Sequence, residues 1–298
     1  MNNKGSCNPL VSLVIPAYNA EKYIMAAIDS ILQQTYSPIE LIVVNDGSTD
    51  KTEELLRQHQ DKFKYFSQKN SGQSAAMNLG WEQSSGSFLG YLSADDRLHP
   101  EAIGLLVAEL LAHPETVMAY PDFCIIDENS KYIRSIKAKD YNLRSIVADF
   151  DCLPGPGALF RREAWLAVGG WNTTLRHIPD VDFYLRLCLY GPFKRIPKEL
   201  ADFRIHSGST TYSPSSIAKA DEPLKVIKEF FSQKEVSAKF IKWRRRSVAN
   251  ALMLSGFMHG YSGRYIKFVS RMTKAGFISP SAILSRKMAS YLVRIFKK

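Results

Sequence analysis

Carboxylates placed just beyond short apolar runs are the residues of this 298-residue chain best suited to chemistry. Asp46 follows Leu41 to Val44 within Asn45-Asp-Gly-Ser-Thr-Asp50, and Asp95-Asp96 follows Phe88 to Leu92. Two adjacent acids repel each other unless a cation or a basic group compensates, so this pair reads equally as a metal site or as a solvated turn beside Arg97. Asp46 by itself is more readily a turn residue and helix cap, because Asp-Gly and Ser-Thr-Asp are ordinary turn chemistry. Asp180 opens a helical stretch after Pro179, where an acid is by itself more readily a helix cap. His206 stands at the end of the strand-like stretch from Leu200 and, by itself, is more often a structural residue than a ligand.

The elements that must hold these groups alternate between short β-branched runs and helical periodicity. Val11 to Ile15 reads as a buried strand, Ala20 to Gln33 as a helix with Ile24, Ala27, Ile28 and Ile31 on one face, and Leu41 to Val44 as a second strand. Asp50 and Glu53 have the spacing of a capping box opening the next helix. Phe63 to Phe66, Gln73 to Gln83, Phe88 to Leu92 and Pro100 to His113 continue the alternation, which implies a mostly parallel sheet. Ligands on such sheets sit beyond the carboxyl ends of the strands, where the acids lie. After Val117 come strand-like pieces at 117–120, 123–126 and 131–135, then the loop Leu153-Pro-Gly-Pro-Gly157. Ala158 to Arg161, a helix at Arg162 to Val168, a helix at Asp180 to Tyr190 and a strand at Leu200 to His206 complete this part.

Charge divides the chain. Residues 1–218 hold 21 Lys/Arg against 25 Asp/Glu, and residues 219–298 hold 18 against 4, so a faintly acidic body carries a strongly basic tail. The expected organisation is an α/β domain at 1–214 and a basic helical extension at 215–298, with helices at 220–231, 236–258, 262–275 and 279–297. Cys7, Cys124, Cys152 and Cys188 are too scattered for a zinc or disulfide framework. Met1 to Pro9 lacks the basic-then-apolar order of a signal peptide, and no apolar run is long enough to span a bilayer, so the expected location is the cytoplasm, peripheral to the membrane.

Four segments together, Val11-Ser-Leu-Val-Ile-Pro-Ala-Tyr-Asn19, Val43-Val-Asn-Asp-Gly-Ser-Thr-Asp50, Asn70-Ser-Gly-Gln-Ser-Ala-Ala-Met-Asn78 and Tyr91-Leu-Ser-Ala-Asp-Asp96, resemble glycosyltransferase family 2 in order and spacing. The resemblance covers about 210 residues. It implies the A-type nucleotide-diphospho-sugar transferase fold, an α/β fold with a mostly parallel central sheet, and sugar transfer with inversion. It implies that Pro16, Ala17, Tyr18 and Asp46 hold the nucleobase, the family favouring uracil in a UDP-sugar. A carboxylate can accept the N3–H of that ring and an aromatic can cover its face. Glu21 joins this cluster or is simply a first-turn helix acid.

The family's Asp-x-Asp motif binds a divalent cation, Mn²⁺ or Mg²⁺, that bridges the diphosphate. Here its first position is Ser93, followed by Ala94 and Asp95, so Asp95 is the implied metal ligand with His206 beside the metal or diphosphate. Gly72, Ser74 and Asn78 are implied donor contacts, while Met77 stands where the family commonly has an arginine. Gly169-Gly-Trp-Asn172 and Asp180-Val-Asp-Phe-Tyr-Leu-Arg-Leu187 resemble the acceptor side. This makes Asp180 the implied general base and puts Trp171, Asp182 and Gly157 near a glycan or lipid-linked acceptor. Trp171 is equally a core residue, and Asp182 with Arg186 equally a helix-surface pair.

The tail, with Trp243, Phe257, Phe268, Tyr291, Leu292, Ile295 and Phe296 among its basic residues, suits an anionic membrane surface. It suits equally an amphipathic layer packed on the catalytic domain. No nucleic-acid recognition motif is evident, so nucleic acid is not an expected partner. A noncatalytic sugar-nucleotide-binding module is the alternative, suggested by the departures at Ser93, Met77 and Pro179. A nucleotidyltransferase would carry a Gly-rich basic loop, which Pro16 to Ala20 lacks.

Overall fold

The computed structural model describes residues 8–151, 154–209, 214–236 and 238–296. Cys7, Cys152, Leu153, Ser213 and Lys297 lie outside the described residues, while Cys124 and Cys188 are buried free thiols.

In chain order the elements are β1 (Val11–Ala17), α1 (Ile24–Leu32), β2 (Ile39–Asn45), α2 (Thr52–Gln58), β3 (Lys64–Ser67), α3 (Gln73–Glu82), β4 (Phe88–Tyr91), β5 (Arg97–Leu98), α4 (Ala102–Ala112), β6 (Met118–Ile126) and β7 (Tyr132–Ile136). They continue with α5 (Leu143–Asp149), β8 (Leu159–Arg161), α6 (Arg162–Val168), α7 (Pro179–Leu187), β9 (Phe193–Arg204), α8 (Ile217–Phe230), α9 (Ala238–Ile241), α10 (Arg244–Tyr261), α11 (Tyr265–Ile278), α12 (Pro280–Ile283) and α13 (Arg286–Phe296).

The chain forms two compact units. The first, residues 8–140, 154–173 and 190–206, holds every strand; the second, residues 141–151, 174–189 and 207 onward, is helical. The division differs from a single boundary after residue 214, because Arg246 binds Asp149, Ser247 binds the Val147 carbonyl and Asn250 Nδ2 donates to Ala148 O at 3.0 Å. These bonds tie α5 to α10, so residues 141–151 belong with the basic helices.

In the first unit the sheet runs β3-β2-β1-β4-β8-β6-β9-β5, with β7 paired to β6. The β3-β2-β1-β4 portion is parallel, as the alternation with helices requires; β8 joins β4 antiparallel, and β6 and β9 pair parallel. All seven residues of β1 are buried, which explains its nearly unbroken apolar run, the mark of a strand covered on both faces. Ile24, Ala27, Ile28 and Ile31 of α1 are buried in the main core, as their spacing predicts. Strand order reverses between β1 and β4, and in open α/β sheets the ligand crevice lies at the carboxyl ends of the strands flanking such a reversal.

Several boundaries differ from the sequence reading. α1 starts at Ile24 rather than Ala20, because the Ala20 and Glu21 amides donate to Thr52 Oγ1 (2.8 Å) and Asp50 Oδ2 (3.2 Å). The capping box is not made: Lys51 holds the cap position of α2, Asp50 Oδ1 accepts the Thr52 amide at 3.0 Å, and Glu53 turns to Arg57 at 2.7 Å. The short β5 and the helix α5 carry no strong periodic signal and were not expected.

In the second unit α10 packs against α5, α8, α11 and α13. Phe268, Tyr291 and Ile295 are buried in its core, and Phe257 stacks on Tyr291 at 4.5 Å. These side chains fill the helical interior, as the packed-layer reading of the tail has it; the Phe296 side chain lies outside the description. Among the described residues no helix is long and apolar enough to cross a membrane.

Candidate active site

The loops after β1 and β2 are laced together. Asn19 Oδ1 accepts the Thr49 amide (2.8 Å), Ser48 Oγ accepts the Asn19 amide (3.1 Å), and Glu21 Oε2 accepts the Lys51 amide (2.9 Å). Glu21 therefore sits in the turn before α1 rather than in its first helical turn. Asp46 is buried, and its carboxylate organises the loop after β3. Oδ1 accepts Gln68 Nε2 (2.7 Å) and the Ser71 amide (2.8 Å), and Oδ2 accepts the Gly72 amide (2.8 Å). Three of about four acceptor positions are thus in use, which leaves Oδ2 one lone pair for a further donor. Gly47 must be glycine: its φ is +70°, and a Cβ there would lie 2.7 Å from the Asn70 amide nitrogen.

Tyr18 is half exposed on this rim, whereas Pro16 and Ala17 are buried in β1, where the Ala17 carbonyl accepts the Asp46 amide at 2.8 Å. Of these three implied nucleobase contacts, only Tyr18 presents its side chain outward. Ser74 is buried in the first turn of α3.

The turn Ser93 to Asp96 closes on itself through the Asp96 amide and Ser93 carbonyl (3.1 Å), with Ser93 partly buried and Ala94 buried. Asp95 Oδ2 lies 3.0 Å from His206 Nε2, just past the end of β9, with both side chains partly exposed. The two acids do not share one role. Asp96 is buried and accepts the Arg204 amide at 2.9 Å, and burial beside Asp95 pushes its carboxyl well above the ordinary carboxylate range. Arg97, the expected compensating base, pairs with Asp202 at 2.8 Å instead. The compensating cation is Arg204, almost wholly buried. It donates through Nε to the Asp95 carbonyl (2.8 Å) and through its guanidinium to Asp127 O (3.0 Å) and Ser130 Oγ (2.9 Å).

Tyr23 lies between these groups, its ring 4.7 Å under the Arg204 guanidinium and 5.0 Å from the His206 ring. Neither Arg204 nor Tyr23 was picked out from sequence, although a lone arginine in an apolar strand run could have signalled the former.

The donor set suits a divalent cation in part. A carboxylate oxygen and an imidazole nitrogen stand side by side at a strand terminus, and no group of three or more His, Cys, Asp or Glu is arranged to hold a metal ion among the described residues. A cation held by Asp95 and His206 would complete its shell with phosphate oxygens and water, as Mg²⁺ and Mn²⁺ commonly do.

Three expected site residues prove structural. Asn78 spends both ends of its amide on Trp171, accepting the Trp171 amide (2.7 Å) and donating to its carbonyl (2.8 Å). Gly170 permits this clasp, since a Cβ there would fall 2.3 Å from Asn78 Oδ1. The Trp171 ring is buried edge-to-face against Trp81 (5.8 Å) and Tyr91 (5.0 Å), a core position rather than a sugar platform. Gly157 is buried against Leu98, Ala201 and Pro121 rather than lining an acceptor surface. Met77, where a diphosphate arginine is usual in the family, is fully buried.

In the helical unit, Asp180 occupies the first turn of α7, with Ile178 at the cap position and Pro179 first in the helix. It is partly buried, and desolvation pushes its carboxyl up to about 6 against the opposing pull of the helix-start amides. The segment leading into α7 is held by Glu222 of α8, whose carboxylate accepts the amides of Arg176 (2.7 Å), His177 (2.8 Å) and Ile178 (3.1 Å). Asp182 is buried and bound by Arg186 on its own helix at 2.7 Å.

Acids and an Asp–His pair thus stand beyond the carboxyl ends of the strands around the reversal of strand order, where open α/β sheets bind their ligands. The model of the family "Glycosyl transferase family 2" matches residues 12–167. The chain is 31% identical over 229 residues to chondroitin synthase from Escherichia coli, a match covering 76% of this chain and 33% of that protein. It therefore spans about a third of that relative's length. Among solved structures, mannosyltransferase PcManGT from Pyrobaculum calidifontis, in complex with GDP-Man and Mn²⁺, superposes with a TM-score of 0.64 at 15% identity, covering 97% of this chain and 85% of that one. S. aureus TarS 1–349 in complex with UDP-GlcNAc gives 0.59 at 17% identity, covering 91% of each chain. These two likenesses concern the fold, an α/β A-type glycosyltransferase fold followed by helices. This chain belongs to glycosyltransferase family 2.

Proposed function

We propose that the protein transfers a sugar, with inversion, from a nucleotide-diphospho-sugar to a hydroxyl of a glycan or lipid-linked acceptor in polysaccharide or glycoconjugate synthesis. A UDP-sugar is the proposed donor. The supporting observation is the Asp95–His206 pair at the carboxyl edge of the sheet, anchored from below by Arg204.

In this reading Tyr18 covers the base and Asp46 Oδ2 offers its remaining lone pair to a ring N–H. Asp95 and His206 would hold a divalent cation, which when bound neutralises charge on the leaving diphosphate. Asp180 takes the proton of the acceptor hydroxyl. The freed oxygen forms a bond to C1, the C1–O bond to the diphosphate breaks with its electron pair leaving on the nucleotide, and displacement from the opposite face inverts the centre. A carboxyl titrating near 6 is matched to this task, being ionised at neutral pH yet basic enough to accept a proton.

The test is a thermal-shift panel of nucleotide-sugars with and without Mn²⁺, since a ligand of the native state raises its stability. A shift specific to one base, dependent on the cation and absent in Asp95→Ala, is the expected result. A folded protein that no nucleotide-sugar stabilises would remove the assignment.

A further inference from the structure

Three large apolar side chains of the helical unit stand almost fully in solvent: Ile266 at 89%, Leu284 at 86% and Phe277 at 84% exposure. On α11, at 100° per residue, Ile266, Ser270, Thr273 and Phe277 fall in one stripe, with the half-exposed Val269 at its margin. Phe268 and Ala275, on the opposite side of the same helix, are buried in the core. The exposed stripe is therefore not the helix's packing face: Ile266 and Phe277 stand at its two ends, with Ser270 and Thr273 between them. Lys267 and Lys274 flank it, both exposed, and Arg286 follows two residues after Leu284.

Lys267, Lys274 and Arg286 give its exposed margin a basic charge, while Arg271 of the same helix is paired with Asp221 at 2.8 Å. After Glu235 the chain has 14 Lys/Arg and no Asp or Glu. Two copies of such a surface would bring lysines against lysines, which disfavours self-association. A nucleic acid would answer the charge but leave naked Ile, Leu and Phe facing phosphates. An anionic bilayer answers both, with headgroups for the lysines and acyl chains for the apolar tips.

We infer that the outward face of α11 together with Leu284 docks the protein on an anionic lipid bilayer. The inference uses no residue of the sheet crevice or of the first turn of α7, so it stands or falls apart from the transfer reaction.

The test is cosedimentation of the full chain with vesicles of phosphatidylcholine alone or with about 30% phosphatidylglycerol, at about 0.05 M and about 0.5 M salt. Binding only to the anionic vesicles, lost at high salt, is expected. Lys267→Glu should weaken it at least fivefold, the factor equivalent to about 1 kcal/mol per basic residue near a charged surface. Phe277→Ser and Ile266→Ser should each weaken it about tenfold, the scale of one large apolar side chain returned to water. Unchanged melting temperatures would show that these surface variants fold. Absence of vesicle binding, binding indifferent to these substitutions, a dimer in solution that Phe277→Ser dissociates, or tighter binding to a DNA duplex than to the vesicles would each overturn the inference.

Discussion

Asp180→Asn should stabilise the protein while abolishing transfer. The carboxyl of Asp180 titrates near 6 in the folded protein instead of near its ordinary 3.8, because burial disfavours its charge. The folded state therefore holds this proton more tightly than the unfolded chain does. Below about pH 4 both states are protonated and the residue costs nothing; as pH rises to about 6 the unfolded chain ionises first, and stability falls. Above that range the accumulated cost approaches about 3 kcal/mol, or about 1–3 kcal/mol after allowing for the partial exposure of the residue.

Asparagine has nearly the same shape and never ionises. At pH 8 the variant should gain this amount, a rise of roughly 2–6 °C in melting temperature for a chain of this size. At pH 4, where the unfolded carboxyl is about half ionised, the gain should shrink to about 0.5 kcal/mol or less. Calorimetry of both proteins across this range is the measurement, and wild-type kcat/KM should fall about tenfold per pH unit below the same value. A gain of equal size at pH 4 and 8, or no gain at either, would refute the desolvation argument; full activity in the variant would refute the role of base.

Gly170→Ala should destabilise the first unit by about 2–4 kcal/mol, because its new Cβ must displace the Asn78 amide from both Trp171 bonds. Urea denaturation should also show the double variant Asn78→Ala/Gly170→Ala losing less than the two single losses combined, since the first change empties the space the second needs. Glu222→Ala strips the acceptor from three backbone amides and should cost about 3 kcal/mol in the same assay. A loss below about 0.5 kcal/mol would show that water replaces the carboxylate freely.

The local alternation of β-branched runs and amphipathic helices was legible because its periods, two and 3.6, are written in neighbouring residues. So was the placement of Asp46, Asp95 and His206 at strand ends, and with it the family. The α5 segment was illegible for the opposite reason: its partners, Arg246, Ser247 and Asn250, lie about a hundred residues away.

Side-chain duty was settled only by the folded chain. Asp95 and Asp96 are identical neighbours, yet one reaches His206 in partial solvent and the other is buried under the Arg204 amide. Asn78 and Trp171 look like ligand contacts in sequence and bind each other in space. The tail's basic charge was plain from composition, but which of its apolar residues face solvent was not. Phe268, Tyr291 and Ile295 went inward, while Ile266, Phe277 and Leu284 were left outside. Sequence specifies each residue's chemistry and its period along the backbone; burial and partnership depend on which distant segments pack against it, and only the tertiary structure sets that.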